Sequence, residues 1–174
     1  MDALSHPAEI AAEPLQREAY GPYGDVVAAD RQLASTSANA GTATRYDRLA
    51  AFENRRPGSA LPNLCVFRVQ PFAGKPFIIR VLERHRHSTQ VFIPMAGAER
   101  YLVIVCEGRE TPDLRTLKAF VARTGQGVTY RPGIWHHPLI ALDQPTDFAC
   151  LVYEDGTLDD GEVRDIAPAV NVRY

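Results

Sequence analysis

Two short runs hold four of the chain's five histidines. The first is Glu83-Arg84-His85-Arg86-His87-Ser88-Thr89-Gln90. The second is Tyr130-Arg131-Pro132-Gly133-Ile134-Trp135-His136-His137-Pro138. Neutral imidazole is a ligand for zinc, nickel, copper or iron, and it carries protons near neutral pH. Side chains on a strand alternate between faces, so His85 and His87 are expected on one face, as two metal ligands on one strand require. Gln90 follows a Ser-Thr step that can bend its amide back to the same pocket. His136 and His137 are neighbours, so a regular strand sends only one of them inward. Two histidine clusters within strand-like sequence imply a small-molecule site, enzymatic in the leading reading.

Other polar residues qualify by type. Glu83 can act as a general base if buried, against the blander role of an exposed or ion-paired carboxylate. Arg68, Arg80 and Arg84 stand in strand-like runs. An arginine inside a barrel needs an anion, and a substrate carboxylate satisfies it with two parallel hydrogen bonds. Trp135 and Tyr130 read first as packing residues, and Tyr130 can still offer its hydroxyl if its ring lines the mouth of a pocket.

The elements that must position these groups are mostly strands. Val26 to Ala29, Leu64 to Val69, Phe77 to His85, Gln90 to Ile93, Gly127 to Tyr130, Trp135 to Ala141 and Asp147 to Tyr153 all read so, with Gly and Pro turns between them. Tyr101 to Cys106 is continuously apolar, which implies burial on both faces. Pro14 to Tyr23 reads as a short helix or turn, and residues 34–44, rich in Ser, Thr, Ala, Asn and Gly, as a loop. One helix is expected at about 112–124. Thr111 would be its cap, Pro112 its first residue, Leu114, Leu117, Phe120 and Val121 its buried stripe, and Gly125 its stop. The apolar tail from Ile166 to Val172 is expected to pack back as an edge strand or to serve a dimer contact. Many short strands with frequent turns point to a mainly β sandwich or barrel.

The chain has 174 residues, of which 45% are hydrophobic and 23% charged. A single domain over residues 14–174 is expected, preceded by an extension at 1–13. The net charge of −2 leaves no basic footprint for nucleic acid, and no apolar run approaches membrane-spanning length. Cys65, Cys106 and Cys150 lack metal-type spacing and lie in apolar segments, which reads as buried thiols in a reducing compartment. No signal peptide is visible, so a cytoplasmic location is expected.

The spacing His85-x-His87-x-x-Gln90 followed by Gly97 resembles the first motif of cupins, with Gln90 where a glutamate is usual, and Gly133-Ile134-Trp135-His136 resembles the second. On that comparison His136 is the inward residue. More specifically, Leu82-Glu83-Arg84-His85, Gln90 to Gly97, Gly125-Gln126-Gly127-Val128, Trp135-His136-His137-Pro138-Leu139 and Thr146-Asp147-Phe148 resemble the ureidoglycolate lyase family. Tyr23-Gly24-Asp25-Val26, with Asn39, Gly41, Arg45 and Tyr46, is similar to its N-terminal pattern. The resemblance runs from about Pro14 to Phe148. The chain departs from the family at Arg86-His87-Ser88, at Asp47, and at Val152-Tyr153-Glu154-Asp155-Gly156, where an Asp-Arg-Gly run is usual.

The resemblance implies a cupin-like β barrel of the double-stranded β-helix type, acting as a homodimer that splits ureidoglycolate into glyoxylate and urea in allantoin degradation. It implies His85, His136, Glu83 and His137 as catalytic candidates. Arg68, Gln90, Tyr130, Asn39 and Arg45 are the substrate-binding candidates, the last two closing over the pocket from the same or a neighbouring subunit. His85, His87, Gln90 and His136 are the candidate ligands for a divalent metal, nickel or zinc. Two alternatives stay open: a diverged cupin enzyme acting on another small carboxylate, and a cupin that binds a small molecule without turning it over.

Overall fold

The computed structural model describes residues 6–174. Fifteen strands follow in chain order among them. The first five are β1 (Glu9–Ala11), β2 (Glu13–Pro14), β3 (Val26–Val27), β4 (Ser35–Ala38) and β5 (Ala43–Tyr46). The next five are β6 (Leu61–Val69), β7 (Phe77–Arg84), β8 (Gln90–Ala96), β9 (Arg100–Cys106) and β10 (Lys118–Arg123). The last five are β11 (Gly127–Tyr130), β12 (Trp135–His136), β13 (Ile140–Ala141), β14 (Thr146–Glu154) and β15 (Glu162–Arg173). The one α-helical segment, Arg17–Tyr20, lies within the expected helix or turn.

The strands form two main sheets. The larger runs β1-β15-β7-β12-β9-β10-β2, with β13 also on β9, and the smaller runs β3-β11-β8-β14-β6. One apolar core joins them, built from Tyr101, Val103 and Val105 of β9, Phe92 of β8, and Phe148, Cys150 and Val152 of β14. A second core covers the other face of the larger sheet and takes Leu102, Ile104 and Cys106 of β9, with Ile79, Trp135 and Val170. Alternate residues of β9 therefore enter different cores, which explains its unbroken apolar run. The result is a mainly β, nearly closed barrel.

Several expectations are corrected. No helix occupies 112–124. A single 3₁₀ turn spans Leu114–Thr116, and Lys118–Arg123 is β10, paired antiparallel with β9. The cap is Asp113 rather than Thr111, and its side chain accepts a hydrogen bond from the Arg115 backbone N–H. The turn ends at Leu117, whose ψ of 128° is extended. Residues 34–44 are largely a hairpin, β4 against β5, rather than a loop. The tail is an interior strand, since β15 lies between β1 and β7. Trp135 to Ala141 is two short strands, separated around Pro138. In the segment read as an extension, β1 and β2 pair with β15 and β10, and residues 1–5 lie outside the described residues.

Candidate active site

β7 supplies Glu83, and His85 follows two residues on, just past the strand end. Antiparallel pairing of β12 with β7 sets His136 directly opposite Glu83. Gln90 opens β8. These four side chains converge. The His136 Nε2 is 3.5 Å from Glu83 Oε1 and 3.1 Å from Gln90 Oε1. The His85 and His136 rings stack at 6.0 Å between centroids. Ligating atoms of Glu83, His85 and His136 all lie within 4.8 Å of one another.

The outer nitrogens of both imidazoles are tied to the backbone. His85 Nδ1–H donates to the Asp160 carbonyl at 2.6 Å, and His136 Nδ1–H donates to the Ile134 carbonyl at 3.0 Å. Such bonds fix each ring and leave its Nε2 free for a proton or a metal. The loop carrying Asp160 is held in turn by Arg56, which pairs with Asp155 and Asp160. At His136, Nε2 faces two oxygens while Nδ1 is already a donor.

Electrostatics follow from this packing. Burial raises the Glu83 carboxyl pKa, but the His136 hydrogen bond and the neighbouring imidazoles of His136, His85 and His137 outweigh it, and the net direction is downward. Glu83 is therefore ionised at neutral pH. Burial, and then the charge of His136, lower the pKa of His85 below the usual imidazole range, so His85 is neutral there.

The cluster closes one side of a cavity of about 260 Å³ between the sheets. Glu83, His85, Gln90 and Glu154 give it polar atoms. Phe67, Val69, Phe92, Leu139 and Val152 give it apolar walls. His136 lies behind Glu83 and Gln90 and is almost wholly buried. The cavity lining includes no lysine or arginine.

The other expected site residues fall elsewhere. His87 does not share a face with His85, because β7 ends at Arg84 and the chain bends at Arg86 and His87. His87 instead lines a surface groove with Arg86 and Asp159. Arg68 points outward from β6, where it makes a double hydrogen bond to Asp147; its neighbours Phe67 and Val69 take the cavity face. Tyr130 is not at a mouth. Its ring lies flat on His136, centroids 3.8 Å apart, and its buried hydroxyl has no partner among the described residues. His137 turns away from the cluster, edge-on to Phe77 at 5.0 Å, and donates to the Pro138 carbonyl. Burial lowers its pKa. Asn39 and Arg45 belong to the β4–β5 hairpin segment and do not line the cavity, and Arg45 pairs with Asp47. Arg84 is buried on the opposite face of β7 from Glu83, over the Trp135 ring and paired with Glu162.

Glu154, Cys65 and Cys150 were missed as lining residues. The signal for Glu154 and Cys150 was the period-two pattern of β14, in which Phe148, Cys150, Val152 and Glu154 share a face.

The chain is thus a cupin-like β barrel that gathers a carboxylate and two imidazoles beside an internal cavity. The chain belongs to the ureidoglycolate lyase family, whose model matches residues 7–173. A ureidoglycolate lyase of Burkholderia cepacia is 42% identical over 140 residues, covering 80% of this chain and 76% of the relative. One of Escherichia coli strain K12 / DH10B is 41% identical over 153 residues, covering 88% and 91%. Among solved structures, a dTDP sugar isomerase from Desulfovibrio desulfuricans G20 matches with a TM-score of 0.48 and 15% identity, over 83% of this chain and 86% of that one.

Proposed function

We propose that this protein is a ureidoglycolate lyase, a carbon–nitrogen lyase that cleaves ureidoglycolate to glyoxylate and urea. The observation that carries the reading is the Glu83–His85–His136 cluster on the cavity, in a chain of this family. In the substrate one carbon bears a hydroxyl, a carboxylate and the ureido nitrogen. His85, neutral and with Nε2 free, takes the hydroxyl proton. The C–O electrons become the aldehyde carbonyl as the C–N bond breaks, and His85 returns the proton to the departing nitrogen. One proton moves and the imidazole is restored. Ionised Glu83 stabilises the imidazolium formed in between. His136 and Gln90 position Glu83 from behind, and Glu154 and the apolar wall confine the substrate.

Nickel or zinc fits the same donor set. Ligand atoms at about 2.1 Å from one ion stand at most roughly 4.2 Å apart, so a small inward turn of a side chain lets Glu83, His85 and His136 hold it, with Gln90 as a weak neutral neighbour. Such an ion would supply the positive charge that the substrate carboxylate lacks on a lining without lysine or arginine, and would acidify the hydroxyl.

The same reading places the protein in the cytoplasm, in allantoin and purine nitrogen catabolism, and as a homodimer. Support for the dimer comes from β6, an edge strand whose Leu64 and Val66 side chains are 73% and 59% exposed. Apolar side chains exposed along an edge strand favour pairing with another chain.

The test is to incubate the protein with ureidoglycolate, metal-free and then with nickel, zinc or manganese, and to measure glyoxylate and urea. Stoichiometric release of both, well above the spontaneous rate, is expected. Saturable binding without turnover under every metal would leave a binding protein, and turnover of a different hydroxy acid would leave a diverged enzyme.

A further inference from the structure

We propose that Cys65 and Cys150 form a vicinal dithiol site in the cavity wall that low-molecular-weight disulfides convert to an intramolecular disulfide. The two residues are direct cross-strand partners on β6 and β14, and both line the cavity. Partners opposed in an antiparallel pair have Cα atoms about 4.5–5.5 Å apart, within the roughly 4.4–6.8 Å that a disulfide spans. The Cys65 thiol lies close enough to that of Cys150 to raise its pKa. Within the chain β6 pairs with β14 alone. Cys106 is a built-in control, buried in the second core with its thiol on the Glu107 and Asp113 carbonyls.

The order of events follows from exposure. Cys65 is half-buried and Cys150 is buried. Burial first, and then Cys65 beside it, raise the Cys150 pKa, so Cys65 is the attacking thiolate. It displaces one thiolate from the incoming disulfide and forms a mixed disulfide. Cys150 then attacks the Cys65 sulfur, expels the second small thiol, and gives up its proton to that leaving group. Two protein thiols are oxidised and one small disulfide is reduced to two thiols.

The site adjoins the cluster through Gln90, which lines the same cavity as Cys150 and whose oxygen faces His136. Oxidation draws the Cys150 sulfur toward β6 and reshapes the cavity wall beside Gln90. The effect on turnover rests on the lyase reading, whereas the thiol chemistry does not.

The experiment treats the whole protein with oxidised glutathione and follows it by thiol titration in denaturant and by peptide mapping. Loss of two thiols, a link joining the Cys65 and Cys150 peptides, and reversal by dithiothreitol are expected. Cys150→Ser should stop at a glutathione adduct on Cys65, and Cys106→Ser should behave as wild type. Persistence of all three thiols, a stable adduct on the wild type, or links between chains would overturn the proposal. Mapping of the wild type decides the matter even if a variant fails to fold. Turnover of the oxidised protein should fall at least about tenfold. A disulfide that leaves turnover unchanged would overturn the link through Gln90, and a protein without lyase activity would still be judged on its thiols.

Discussion

His85 and Arg68 lead to opposite expectations. His85 lines the cavity with its outer nitrogen tied to Asp160, so His85→Ala should cost about 10²–10⁴ in kcat on ureidoglycolate. Arg68 looks outward to Asp147, so Arg68→Ala should change kcat and KM by less than about twofold. Steady-state kinetics on the two variants check both, and a large rise in KM for Arg68→Ala would restore it as a carboxylate clamp. Residue types alone had suggested both side chains. His85, His136 and Gln90 were legible because they sit in short specific runs. Arg68 was not, because its strand parity depends on knowing which face of β6 meets the cavity. His87 was misplaced by assuming that β7 continues past Arg84. Glu83 takes the position on the shared face that His87 had been given.

At the scale of elements, the polar clamp between β7 and β15 sets a pH limit on stability. Arg84 is buried and pairs with Glu162, which also receives hydrogen bonds from Arg86. Burial raises the Glu162 pKa, but Arg84, Arg86 and Arg164 outweigh it and hold the carboxyl below its usual value of 4.5. The unfolded chain therefore takes up this proton at a higher pH than the folded one. The stabilisation is fully present above about 4.5 and is lost as pH falls through the lower folded value. Thermal unfolding of Glu162→Gln should show a lower midpoint than wild type at neutral pH and a shallower fall on acidification. Equal pH slopes for the two proteins would refute the clamp. The strands of this region were legible from their apolar runs, whereas β10 was not. Leu114, Leu117, Phe120 and Val121 have helical spacing by coincidence. Leu114 opens a 3₁₀ turn that Leu117 ends, and Phe120 and Val121 enter a strand covered on both sides. Over so short a window the two periods are hard to separate, and tertiary pairing with β9 decides between them.

For the molecule as a whole, strand and turn patterns were enough to indicate a mainly β sandwich or barrel, and the resemblance chose the barrel, while the order of strands in the sheets was not legible, because register is fixed by contacts far apart in sequence. The exposed outer face of β6 has its own test. Leu64→Lys should convert a dimer to a monomer in sedimentation at micromolar concentration, with the monomer still folded by circular dichroism. A wild type that is already monomeric would remove the β6 interface.

β15 has a consequence for how the chain is made. It covers the edge of β7 opposite β12, and β7 carries Glu83. During synthesis that edge stays open until residues 162–173 have left the ribosome. About half of the chain is still to be made when β7 is complete, so for that stretch of translation a hydrophobic strand awaits its partner, the situation in which chaperone capture competes with misassembly.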